Sequence, residues 1–318
     1  MSESEAIAVS AASDDNAATT PEPTGKRSGR GVIRVIRSAP VAAKLSMLWL
    51  AFVVLAAIYA KIDQALGQAL PLQDPFVQGN IRGTARPTEG PSVRHPLGTD
   101  VLARDTFARI LHGGWVSLVV ALSAATFGIV VGGFVGSFVG FVRGKYEATI
   151  MSLMDVILAF PGLVLLLALV SIWEVRSLFV ISLVIGILSI PTYTRIARAT
   201  SLTVSNREFV QAAQAIGTKR RWILVREVIP NVLPVLFAYA LVQAGYVIVL
   251  EGTLSFLGLS VQLPQPTWGN MINEARRDIR QTILPVLWPS LAMTLTVLSL
   301  NQTGDWLQRR AAVRTSAL

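Results

Sequence analysis

The chain has 318 residues, 52% of them hydrophobic and only 15% charged, with a net charge of +9 and no cysteine. Apolar residues in such long runs exclude an ordinary soluble domain, and the lack of cysteine excludes disulfides, thiolate metal sites and a thiol nucleophile. The positive charge is scattered over short segments with no aromatic interleaving or binding motif, so it does not describe a nucleic-acid surface.

Uncharged runs at 45–60, 110–142, 148–173 (interrupted by Asp155), 177–194, 228–250 and 281–304 each approach the ~20 residues that carry a helix across ~30 Å of hydrocarbon. The expected fold class is therefore an all-α polytopic membrane protein with six spans. Residues 1–32, rich in Ala, Ser, Thr, Asp and Pro and lacking a signal-peptide core, read as a disordered cytoplasmic tail. The first span and its approach occupy 33–62, an extracytoplasmic segment 63–112, a core of five spans 113–307, and a cytoplasmic tail 308–318. Most of the 28 lysines and arginines fall on the side of the amino end, which the positive-inside rule makes cytoplasmic together with the carboxyl end.

The segment 63–112 holds five prolines and is too long and polar to be a mere connection, so it is expected to fold as an outer cap. Within it, 95–105 reads as an extended turn and then a helix start capped by Thr99 or Asp100. Asp100, Arg104 and Asp105 here belong either to an ordered loop or to a surface that meets a substrate-delivering protein. The second span carries Gly128, Gly132, Gly136 and Gly140 at four-residue spacing, a small-residue stripe that lets another helix approach closely. Gly144-Lys145 is no phosphate loop, because Val139 and Tyr146 stand where that pattern needs Gly and Ser or Thr.

In the third span Asp155 is expected to pair with Arg195 or Arg198 at the inner end of the fourth. Pro161-Gly162 and Pro191 are expected to kink these spans or to shape a cavity. His95 and His112 are too few and too far apart for a metal site.

Between the fourth and fifth spans, residues 206–218 form a short amphipathic helix. Phe209, Ala212, Ala213 and Ile216 fall on one face and Glu208, Gln211 and Gln214 on the other; Gly217 stops it, and Lys219, Arg220 and Arg221 follow. The helix either lies on the membrane surface or receives a soluble partner. Beyond the fifth span, the outer stretch 251–284 with Trp268 and Asn270 reads as a docking surface or a folded lid.

Gln211-Ala212-Ala213-x3-Gly217, thirteen residues before Pro230, resembles the E-A-A-x3-G loop of ABC importer permeases, with Gln211 in place of the usual glutamate and Glu227 where Ile is common. Four further blocks strengthen the likeness: His95-Pro96-Leu97-Gly98-Thr99-Asp100 with Arg104-Asp105; Asp155-x3-Ala159-Phe160-Pro161; Leu254-Ser255-Phe256-Leu257-Gly258-Leu259 with Trp268-Gly269-Asn270-Met271; and Gly304-Asp305. Ala103 replaces a glycine frequent before Arg104-Asp105. Together these resemble the dipeptide/oligopeptide/nickel permease family, in particular the C-type subunit of its permease heterodimer.

The resemblance implies a type I ABC importer permease fold and a non-catalytic subunit with no cofactor of its own. ATP and Mg would sit on two cytoplasmic ATPase subunits, or one fused dimer, docked through Glu208 to Gly217 and the flanking Lys219 to Arg221. It further implies a homologous second permease, an extracytoplasmic substrate-binding protein, and short peptides, nickel or another small solute as cargo. A self-sufficient secondary transporter or channel would need ion-coupling acids, symmetric broken helices or a filter, of which only Asp155 and the prolines offer anything.

Overall fold

The computed structural model describes residues 39–67, 72–79, 83, 85–172 and 177–316, with side chains to Arg310; the tail expected at 1–32 lies outside the described residues. Among them the secondary structure is helical, apart from an isolated bridge between Thr99 and Asp105. Among the described residues five helices are long and apolar enough to cross a membrane, and a bent pair brings the number to six if it counts as one span. The chain is thus an all-α polytopic membrane protein.

Helix α1, Val41–Ala65, is largely exposed and is tied to the last helix by Trp49 Nε1–H donating to Thr296 Oγ1 at 3.1 Å. The second crossing is one continuous helix built from α2, Thr106–Phe127, a π segment Gly128–Gly132 and α3, Gly133–Val142. It starts at Asp105, whose Oδ1 accepts from Ala108 N–H at 2.7 Å. Thr99 and Asp100 do not cap it. Gly98 (φ +78°) and Ala103 (φ +56°) break the helical path before it, and Asp100 Oδ1 closes a turn by accepting from Leu102 N–H and Arg104 N–H instead.

The glycine stripe faces α6, Leu178–Ser205. A Cβ at Gly132 would sit 2.7 Å from Ile190 O, one at Gly136 2.6 Å from Ala197 Cβ, and one at Gly140 2.7 Å from Arg198 O, while Gly128 abuts the Tyr193 ring. The backbones therefore touch with no side chain between them, the geometry small-xxx-small spacing permits.

The third crossing departs from a straight span. It consists of α4, Lys145–Ala159, and α5, Gly162–Ser171, which meet at 85° across Phe160-Pro161. Proline lacks the N–H that would continue the ladder, and it disfavours helical φ/ψ at the residue before it; Phe160 is accordingly extended (ψ 138°). The pair still runs beside most of α6. Glu147 at the start of α4 meets Arg198 near the end of α6, and Leu166 and Val170 of α5 share a core with Ile181 near its beginning. Pro191 lies inside α6 without breaking it.

A short helix α7, Glu208–Ala215, precedes the fifth crossing, in which α8, Arg220–Ile223, a π segment Leu224–Val228 and α9, Ile229–Phe256, run on as one. Then come α10, Trp268–Ala275, and α11, Leu284–Ser316, which continues unbroken past the boundary at 307 drawn from the sequence. Two apolar cores result. One joins α1, α2, α5, α6, α9, α10 and α11 around Val120, Ile181, Val247 and Trp268; the other, around Tyr193, Val204, Val210 and Val232, lies at the α7 end.

Candidate functional site

Helix α7 is short, so its ends decide its shape. Arg207 enters in extended conformation (ψ 152°) with no side-chain cap, and Gln211 N–H bonds to Arg207 O at 3.1 Å. At the far end Thr218 N–H reaches Ala213 O (3.1 Å) and Gly217 N–H reaches Gln214 O (3.0 Å), the paired bonds of a Schellman stop. That stop needs a left-handed residue, which Gly217 supplies at φ +79°.

Val210 is the buried residue of this helix, packed into the second core, and Ala213 leans against the same core. The other apolar positions point away. Ile216 is 82% exposed, and Phe209 and Ala212 are exposed as well, beside exposed Glu208, Gln211 and Gln214. Of the apolar face expected from the sequence, Phe209, Ala212 and Ile216 are therefore offered outward, while Ala213 turns with Val210 towards the core. A groove beside it is lined by Ala213, Ile216, Thr218, Trp222, Ile223, Arg226 and Glu227.

Lys219, Arg220 and Arg221 are exposed at the start of α8. Trp222, which the sequence reading passed over, carries Arg226 4.6 Å from its ring centroid and Arg221 at 6.0 Å. The π segment below it has a local cause. Pro230 has no N–H to donate back along the helix, and Asn231 Nδ2–H occupies Glu227 O at 2.6 Å. Gln211 donates from Nε2 to Asn206 O at 3.2 Å, so its amide fastens the helix to the end of α6.

At the opposite end of the bundle, Asp100, Arg104, Asp105, Trp268 and Asn270 are all buried. Arg104 bonds Asp100 (Nε–Oδ2 2.7 Å) and Glu274 (Nη2–Oε2 2.7 Å), and Arg109 bonds the same Glu274 oxygen at 2.8 Å. Asp105 Oδ2 lies 2.9 Å from His95 Nδ1, Trp268 Nε1–H donates to Ile110 O, and Asn270 completes a capping box with Thr267. These side chains lock the cap from within, so any docking surface at this end is formed by exposed residues that they hold in place.

The neighbouring Glu251, which lay at the edge of an outer stretch in the sequence reading, is fully buried and accepts from Ser117 (3.1 Å), Ser255 (2.7 Å) and Ser260 (3.0 Å). Asp155 pairs with Arg195 at 2.5 Å, and Arg198 takes Glu147 instead.

Residues 128–316 match the family model described as binding-protein-dependent transport system inner membrane component. The chain is similar to the glutathione transport system permease protein GsiD of Pectobacterium atrosepticum, 36% identical over 234 residues that cover 74% of this chain and 77% of the relative. It is likewise similar to the glutathione transport system permease proteins of Escherichia coli and Shigella sonnei, each 36% identical over 219 residues covering 69% and 72% of the two chains.

Proposed function

Because the chain belongs to the family of binding-protein-dependent transport system inner membrane components, and so is a permease component of an ABC importer, we propose that it forms half of a passage for short peptides. It does so as the C-type member of a permease heterodimer in a bacterial inner membrane, with both termini in the cytoplasm. A second, homologous permease completes the passage, an extracytoplasmic binding protein delivers the cargo, and two ATPase subunits carry ATP and Mg. Glutathione is itself a short peptide, and the names of the relatives support this class of cargo.

One observation carries the reading. Helix α7 ends in a Schellman stop, turns Val210 and Ala213 towards the core, and presents Phe209, Ala212 and Ile216 outward between two long crossings. Exposed apolar side chains on a short, well-ended helix suit a groove in a soluble partner. Nucleotide that binds one ATPase arrangement better than another then shifts α7, and the crossings α6 and α8–α9 on either side carry the shift into the passage.

Ile216→Asp tests this directly, since a side chain 82% exposed contributes little to the chain's own packing. The variant is expected to reach the membrane at normal levels but to lose co-purification with the ATPase subunits and at least tenfold of its ATP-driven uptake. Unchanged co-purification and uptake would overturn the assignment.

A further inference from the structure

Asp155 and Arg195 form an ion pair at 2.5 Å in which both side chains remain about half exposed, at 58% and 49%. Arg195 lies ten residues from Ser205 and seventeen from Leu178 along α6, hence ~15 Å and ~25 Å from its two ends. For a helix centred on the bilayer this depth is still hydrocarbon, where ionised side chains face a water-filled space or the bundle interior and not lipid.

The surroundings agree. On α4, exposed Ser152, Asp155 and Ala159 share one stripe, and on α6 exposed Arg195, Ala199 and Thr203 share another; the pair is where the stripes meet. A separate stripe on α4 carries exposed Leu153 and Val156, the surface suited to lipid or an apolar neighbour. Just beyond Asp155 the helix breaks at exposed Phe160, Pro161 and Gly162. Irregular backbone at membrane depth occurs where protein buries it or a cavity is lined by it.

From these observations, and resting on the reading of the chain as half of a passage, we infer that the Asp155–Arg195 pair faces the aqueous passage and is a polar subsite for cargo bearing both an ammonium and a carboxylate. The carboxylate of Asp155 meets the ammonium end and the guanidinium of Arg195 the carboxylate end, so that a dipolar solute exchanges part of its water for a matched pair of charges.

This chain holds no cysteine, so any label on it reports the introduced position. In the complete importer, Ser152→Cys and Ala199→Cys are expected to react with a charged methanethiosulfonate at least tenfold faster than Val156→Cys. Equal rates at all three positions, as lipid or a covering second subunit would give, overturn the inference. In parallel, Asp155→Ala/Arg195→Ala is expected to lower alanyl-alanine uptake at least tenfold, while ATP hydrolysis stimulated by the binding protein stays within twofold. A purely structural pair would lower both together, and an irrelevant one neither; either result removes the subsite. Should the unaltered importer carry no alanyl-alanine, the peptide reading fails by itself, and the cysteine rates alone decide the placement of the pair.

Discussion

At Gly217 the backbone angle, not crowding, excludes other residues. Its φ is +79°, and a Cβ added there would meet nothing within 4 Å. An ordinary side chain therefore costs about 1–2 kcal/mol of backbone strain, while asparagine visits this conformation readily. Gly217→Val is expected to fray the Schellman stop and lower uptake several-fold, and Gly217→Asn to keep most of it, as read from transport normalised to membrane level. Equal activity of the two variants would show that the stop is dispensable. This glycine was legible in the sequence because a stop signal is local, as were the four glycines of the second crossing, whose spacing alone defines a stripe. The direction α7 faces was not legible. Periodicity groups Phe209, Ala212, Ala213 and Ile216 together, yet which face is buried depends on Val210 joining the core that holds Val204 and Ile223, a match no helical pattern records.

At the scale of elements, the cap is held by charges that only the fold brings together. Glu274 of α10 accepts from Arg104 before α2 and from Arg109 within it, all three largely shielded from water. Removing Glu274 leaves two buried arginines to share the single carboxylate of Asp100, a loss below the ~3–5 kcal/mol of a buried pair broken outright. Glu274→Ala is thus expected to lower the unfolding temperature of the detergent-solubilised chain clearly, with the α10 cap loosening first in hydrogen exchange; an unchanged temperature would mean that water already reaches the cluster. From sequence, Arg104 and Asp105 were visible as a motif but Glu274 was not, being 170 residues from Arg104. Glu251 was only half legible, since Ser255 and Ser260 stand close by in sequence while Ser117 lies 134 residues away. The long apolar helices were legible because each is specified within its own run, whereas the break between α4 and α5 was visible only as Pro161, with its 85° angle fixed by what α4 and α5 pack against.

For the whole molecule, the broken pair α4–α5 decides the parity of the crossings. Val93 lies before α2 and is fully exposed, and Ile216 follows α7, also exposed. Between them the chain passes through α2–α3, the broken pair and α6. If the pair crosses, three passages place the two residues on opposite faces; if it is re-entrant, two passages place them on the same face. The contacts of Glu147 with Arg198 at one end and of Leu166 with the core of Ile181 at the other favour crossing. Val93→Cys is therefore expected to be labelled by an impermeant maleimide in intact spheroplasts, and Ile216→Cys only in inverted vesicles. Labelling of both from one face would make the pair re-entrant. Labelling of Ile216→Cys from the exterior would remove α7 from the reach of any cytoplasmic ATPase, because a helix outside the cell cannot be moved by nucleotide bound within it.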